Sequence, residues 1–141
     1  MNVPLSSELS EQVHAEVVRG NDASFPRGRA ISLVPTSHLR DAVPLLREVL
    51  ENDAEEPKYR RLATISLCRL NSAEAREALL SAARTVKEPG VLGGLVHALG
   101  QVGDERALRI LEFLQAQTEG FLAEQASYAA AQVSQRLGRS A

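Results

Sequence analysis

An internal repeat limits the possible folds of this chain more than any other feature of its sequence. Leu46, Leu79 and Leu111 mark equivalent positions in three successive units, and other small and aliphatic residues recur in the same register. Breaks at Pro57, Pro89-Gly90 and Gly120 fall between the units. A unit of this length that holds two helices predicts an α-solenoid, because one hairpin cannot bury its apolar face without a stacked neighbour.

Apolar periodicity, capping residues and helix breakers together predict the individual helices. Pro44 favours a start for the third helix nearer Asp41, since proline is tolerated only in the first turn. Asp104 is the expected N-cap of the seventh helix, and Asn71 with Glu74 resembles a capping box. The predicted helices span residues 6–19, 26–34, 38–52, 58–70, 74–86, 91–102, 104–117 and 121–137.

These helices predict a single all-α domain over residues 1–141. It comprises an N-terminal capping helix (6–19), helical-hairpin repeats at about 26–56, 57–89 and 90–119, and a C-terminal half repeat at 120–138. Aromatic residues are only 4% of the chain, and its Ala- and Leu-rich composition favours helices over strands. The expected shape is therefore a superhelix of about 3.5 repeats.

Composition also narrows the functional classes. The net charge of −2 provides no long-range attraction to nucleic acid or anionic lipid. One cysteine excludes an internal disulfide framework. The N-terminal residues show no secretory signal, and no apolar run approaches the ~20 residues that span a bilayer. We therefore expect a soluble cytoplasmic protein without membrane insertion.

Residues 98–111, ALGQVGDERALRIL, resemble the short bacterial HEAT repeat of the phycobilisome-lyase type: a helix, a Gly-Asp turn, then Arg-Ala and aliphatic residues. Residues 71–80, NSAEAREALL, are a weaker copy in which Asn71 and Ser72 replace Gly and Asp. The resemblance covers about residues 26–137 and implies a HEAT-like or armadillo-like superhelix. The Trp, Tyr and Pro positions of tetratricopeptide repeats and the Thr-Pro-Leu-His motif of ankyrin repeats are not met.

In a solenoid of this type the second helix of each repeat lines the concave face. At about 100° per residue, the side of each second helix opposite its apolar stripe carries arginine and glutamate in equal number. Alternating charges set register with a protein partner, and Leu80 and Phe113 are the expected apolar anchors. The predicted protein-binding residues are Arg40, Arg47, Glu51, Glu77, Leu80, Arg84, Glu105, Arg109, Glu112 and Phe113.

Other chemistry-bearing residues are better explained by structure. Cys68 aligns with Gly100 of the next unit, which indicates a close-packed position, and no histidine lies at helical spacing from it. The three histidines lack the spacing of a helical metal site. One of them, His97, aligns with Ile65 and Tyr128, which suggests a half-buried ring. We expect no catalytic residue, metal or cofactor.

Arg27, Arg29, Arg60 and Arg61 start two successive first helices. Because Arg27 and Arg60 are one repeat apart, they could stack into a small basic ridge for an anionic ligand or an acidic partner. The alternative is ordinary solvated charge, which the nearby Glu55 and Glu56 favour. The sequence leaves this choice open and leans to solvated charge.

The leading hypothesis is a non-catalytic protein-binding module, such as an adaptor, scaffold or regulatory subunit, that uses the concave face. One alternative is a subunit or chaperone-like component of a bilin lyase-type enzyme, which the resemblance implies. Another is a HEAT-like nucleic-acid-binding protein, which the neutral groove disfavours because phosphate tracking needs clustered cations. A monomer is favoured, and a homodimer stays open.

Overall fold

The computed structural model describes residues 27–36 and 42–138, together with Val13, His14 and Val17. The predicted capping helix at 6–19 lies outside the described residues except for those three, of which Val13 and Val17 are buried. The start of the helix predicted at 38–52, which includes Arg40, also lies outside the described residues.

The described ranges are helical and contain no strand, as the repeat pattern predicts. The helices are α1 (Arg27–Leu33), α2 (Ala42–Glu51), α3 (Pro57–Leu70), α4 (Ala73–Thr85), α5 (Pro89–Val102), α6 (Glu105–Gln117) and α7 (Gly120–Arg136). A 3₁₀ turn, Val34–Thr36, follows α1.

Prolines begin helices here more often than the sequence pattern suggests. Pro44 is the third residue of α2, so its missing N–H falls in the first turn, where no intrahelical partner exists. Pro57 and Pro89 are the first residues of α3 and α5. The predicted break at Pro89-Gly90 therefore lies a few residues earlier: α4 ends at Thr85, both residues belong to α5, and the Glu88 carboxylate accepts a hydrogen bond from the Gly90 N–H.

The turn between α3 and α4 corrects the predicted capping box. Ser72, not Asn71, caps α4: its hydroxyl oxygen accepts a hydrogen bond from the Ala75 N–H at 3.0 Å. Asn71 instead ends α3 in the left-handed conformation, with φ 45°, which asparagine tolerates better than most residues. The predicted cap at Asp104 is confirmed, since its carboxylate accepts from the N–H groups of Arg106 and Ala107.

The helices form two layers. The first helices of the hairpins, α1, α3, α5 and α7, pack against one another in sequence order, and the second helices, α2, α4 and α6, do the same alongside them. Leu46, Leu79 and Leu111 occupy equivalent positions in the second layer and are fully buried. Leu67 and Leu99 do so in the first layer. The repeat period therefore places one continuous apolar core between the layers.

Arginines from later helices bind the carbonyl groups at the ends of earlier ones. Arg136 of α7 donates to the carbonyl oxygens of Gly100, Gln101 and Gly103 at 2.6–3.0 Å, at the C-terminal end of α5. These contacts satisfy carbonyls that have no intrahelical partner and place positive charge at the negative end of the helix dipole. They hold the half repeat against the preceding hairpin.

Arg60 contradicts the predicted basic ridge. Its side chain is only 3% exposed, and its Nε–H donates to the Leu50 carbonyl oxygen at 2.8 Å. One terminal nitrogen also lies 3.5 Å from a carboxylate oxygen of the exposed Asp53. Arg61, its neighbour, is exposed. Arg60 therefore ties α3 to the end of α2 and cannot stack with Arg27 on the surface.

Candidate functional site

The second-helix face, the exposed side of α2, α4 and α6, carries most of the residues predicted to bind a partner. Phe113 is 62% exposed, as expected for an apolar anchor. Arg47 is half-buried. The predicted charged residues that are exposed on this face are Glu51, Glu77, Arg84, Glu105, Arg109 and Glu112. Arg40 lies outside the described residues.

The prediction that Leu80 is an exposed apolar anchor is wrong. Leu80 is 2% exposed and belongs to the core, so it cannot be an exposed anchor. Helical periodicity placed it opposite the apolar stripe of its own helix. However, α4 contacts α2 on one side and α6 on the other, as well as α3 and α5. The buried arc of this central helix is therefore wider than one stripe and includes Leu80.

A polar bridge closes the junction between α2 and α4 on this face. A terminal nitrogen of Arg47 donates to the Ser81 hydroxyl at 2.8 Å, and the Arg47 Nε–H donates to the Glu51 carboxylate at 3.2 Å. The Ser81 hydroxyl in turn donates to Glu51 at 3.3 Å. Three side chains thus fill the gap between these two helices and satisfy one another.

The next junction, between α4 and α6, has different residues at the equivalent positions. The repeat register that relates Leu46, Leu79 and Leu111 also aligns Arg47 with Leu80, Glu51 with Arg84 and Ser81 with Phe113. None of these replacements can rebuild the bridge, because Leu80 is buried and Phe113 has no polar group. An open cleft results, which we call the α4–α6 cleft.

The α4–α6 cleft has a volume of about 470 Å³. Its lining combines three arginines with apolar side chains and contains no acidic residue. The lining residues are Ala83, Arg84, Val86, Arg106, Arg109, Ile110, Phe113 and Leu114.

An ion pair spans the same two helices. A terminal nitrogen of Arg106 donates to the Glu77 carboxylate at 2.7 Å and the guanidinium lies close to Asp104 as well. Hydrogen bonding to Glu77 and the charges of both carboxylates raise the pKa of Arg106. By contrast, Arg84 and Arg109 make no ion pair with any residue that the structure describes. The cleft therefore presents two unmatched guanidinium groups beside an exposed aromatic ring.

The opposite surface, the first-helix face, also exposes large side chains. Ile65, His97 and Tyr128 lie at equivalent repeat positions on α3, α5 and α7, and each is exposed. The predicted half-buried ring at His97 is therefore wrong. Shallow hollows of about 440 and 250 Å³ lie between these helices. Phe121 borders the second hollow, so this face is a second exposed apolar row.

Cys68 lies in the larger of these hollows, and burial raises the pKa of its thiol. A raised pKa reduces the thiolate fraction, which is the reactive form. Its equivalent, Gly100, packs closely against α7: an added Cβ would lie 2.6 Å from a Gln132 oxygen and 3.0 Å from the Ala129 Cβ. Close packing at this position is thus confirmed at Gly100, while Cys68 stays half-buried.

In the part of the chain that the structure describes, no cluster of three or more His, Cys, Asp or Glu side chains could hold a metal ion. A bilayer-spanning helix is likewise not found there, since none of the helices has both the length and the apolar composition.

Two layers of stacked helical hairpins define the class of this fold, which is an α-solenoid. The chain belongs to the HEAT-repeat family, whose model matches residues 43–131, from the first turn of α2 into α7. Human deoxyhypusine hydroxylase, solved in complex with glycerol, is similar in structure with a TM-score of 0.73. The two are 20% identical, and the match covers 94% of this chain and 46% of the hydroxylase chain. This likeness concerns the fold alone. A comparison with curated protein sequences finds no match.

Proposed function

We propose that this chain is a non-catalytic protein-binding module, an adaptor, scaffold or regulatory subunit, and that its partner docks on the second-helix face. The observation that carries this proposal is Phe113, an aromatic side chain 62% exposed beside a cleft with two unmatched arginines, Arg84 and Arg109. Aromatic residues and arginine are the types enriched at interface hot spots. HEAT repeats are in general protein-interaction modules, which supports the same function.

The charge pattern of this face supports a protein partner over a nucleic acid. Arginines and glutamates alternate along the second helices, and such alternation sets register and rejects wrong partners. A phosphate-tracking groove needs clustered cations instead. Among the predicted binding residues that the structure describes, the charges are Arg47, Arg84 and Arg109 against Glu51, Glu77, Glu105 and Glu112, and Arg106 adds a fourth arginine beside the cleft.

A matched pair of variants tests the proposal. Phe113 and Tyr128 are exposed aromatic residues, 62% and 69% respectively, on opposite faces, so replacing either by serine should leave the fold intact. We expect affinity purification from the native organism with quantitative proteomics to lose the specific partner with Phe113→Ser and to retain it with Tyr128→Ser. Calorimetry with the purified partner then measures the loss.

The reverse pattern would move the binding site to the first-helix face and contradict the proposal. Equal recovery with both variants would also contradict it, because an anchor at the centre of an interface cannot be removed without loss of affinity.

The bilin lyase-type alternative has a separate test. It rests on the likeness of residues 98–111 to phycobilisome-lyase-type repeats. If the chain takes part in such an enzyme, mixing it with a bilin should change the visible absorbance of the pigment. An unchanged spectrum across a concentration series would contradict that alternative and leave the protein-binding proposal unaffected.

A further inference from the structure

The four arginines on or beside the second-helix face differ in what they bind. Arg47 is satisfied by Glu51 and Ser81, and Arg106 by Glu77 and Asp104. These pairs stabilise junctions between helices and present little free charge.

Arg84 and Arg109 stand apart from those two. They make no ion pair within the described residues, and they lie on opposite helices of the same cleft, Arg84 on α4 and Arg109 on α6. A guanidinium fork matches a carboxylate geometrically and can bind it through two parallel hydrogen bonds. The unmatched positive charge of this face is therefore concentrated at the α4–α6 cleft.

Apart from its three arginines, the lining of the cleft is apolar. Val86, Ile110 and Phe113 contribute to it, and Phe113 keeps most of its ring in solvent. A volume of about 470 Å³ falls within the ~300–1,000 Å³ typical of sites for drug-sized ligands. That volume admits a few side chains of a peptide and not the surface of a folded domain.

We propose that the α4–α6 cleft binds a short acidic peptide segment of the partner, with one apolar side chain against Phe113 and carboxylates paired with Arg84 and Arg109. The inference rests on the proposed function and adds the chemistry of the partner. Charge complementarity carries it, because the lining holds arginines and no acid. Glu105 and Glu112 lie on the same helix outside the lining and disfavour a polyphosphate chain over the same face.

The test is a selection of random dodecapeptides displayed on phage against the immobilised full chain. We expect the enriched peptides to combine Asp or Glu with at least one large apolar residue. Measured by fluorescence anisotropy, their affinity should fall about fivefold with Arg84→Gln/Arg109→Gln, because two partly exposed ion pairs are lost while the apolar contacts stay in place. The matched control, Arg61→Gln on α3, should bind as the wild type does.

Several outcomes separate the inference from the proposed function. Basic or uncharged peptides that still need Phe113 would overturn the acidic-segment inference and keep the second-helix face as the binding surface. Enriched peptides that depend on neither Phe113 nor the two arginines, or no enrichment at all, would overturn both. A single-stranded oligonucleotide that binds more tightly than the peptides, and needs Arg84 and Arg109, would replace the peptide with a nucleic acid. Circular dichroism verifies that each variant folds.

Discussion

Gly103 offers the sharpest test of how the hairpins close. It ends α5 with φ −71°, a value that any residue adopts, so the backbone conformation does not require glycine there. Glycine is required because there is no room for a side chain. A Cβ at this position would clash with the Leu99 carbonyl oxygen and the Ala107 Cβ, and it would lie 3.2 Å from the Leu99 carbonyl carbon. Two of these atoms are backbone and the third is the Cβ of a buried alanine, so none can move aside without a backbone shift.

The expected cost of Gly103→Ala follows from that geometry. Overpacking of a closed site costs about 1–3 kcal/mol, and a clash with backbone belongs at the upper end. Alanine recovers about 0.4–1 kcal/mol by restricting the unfolded chain. The net loss in the free energy of unfolding should therefore be about 2 kcal/mol.

Gly94→Ala is the matched control because it makes the same chemical change within α5 itself. The nearest atom to a Cβ at Gly94 is the Cγ of Arg61 at 3.9 Å, which is ordinary van der Waals contact. Alanine inside a helix is favoured over glycine by roughly 0.5–1 kcal/mol, so this variant should be more stable than the wild type. The two variants should differ by about 3 kcal/mol.

Urea unfolding followed by far-UV circular dichroism measures both variants. The chain contains no Trp, so ellipticity is a better signal than fluorescence. Similar midpoints for the two variants, or a Gly103→Ala protein as stable as the wild type, would refute the view that α5 and α6 meet too closely for a side chain at the turn. A changed slope would indicate loss of two-state unfolding and would require hydrogen exchange to locate the opened hairpin.

Two further predictions concern polar groups that hold helix ends. Arg60→Met should lose about 2 kcal/mol of unfolding free energy, since it removes a charge-assisted hydrogen bond to the Leu50 carbonyl. The control, Arg61→Met, should change the unfolding free energy by less than about 0.5 kcal/mol because Arg61 is exposed. Equal urea midpoints for the two variants would contradict the buried role of Arg60. Partial burial acts to raise the pKa of Asp104, but hydrogen bonds from the Ala107 and Arg106 N–H groups and the Arg106 charge lower it overall. The contribution of the ionised Asp104 to stability is therefore present above about pH 4 and is lost as the pH falls through the lowered folded-state pKa. The unfolding free energies of Asp104→Ala and the wild type, measured by urea titration, should differ by about 1 kcal/mol near neutral pH and converge in acid. A difference that does not change with pH would contradict the ionised cap.

The helices were predictable because their signals are local. Apolar periodicity, Asp104 as a cap and Pro44 near a start all act within one or two turns of chain, and the structure agrees within a few residues. Ser72 was missed as a cap because Asn71 beside it also fits a capping position. A choice between adjacent residues depends on backbone geometry, which composition does not specify.

The candidate site was predictable only in part. Phe113 and the exposed charges follow from helical periodicity, which gives the face of one helix. Burial depends on the neighbours of that helix. Leu80 was wrongly predicted to be exposed because α4 has neighbours on several sides, and Arg60 because the end of α2 lies next to it. His97 was expected to be half-buried and is exposed.

The sequence by itself determined that this protein is a stack of helical hairpins, since a repeated apolar register can be satisfied only when each unit buries its face against the next. It also determined where most helices begin and end. Only the tertiary structure decided which charges are free. Arg47 finds Ser81 across a helix junction, while the equivalent positions at the next junction leave a cleft with Arg84, Arg109 and Phe113. The side chains that meet across two helices set that difference, and no pattern within one helix shows which of them will meet.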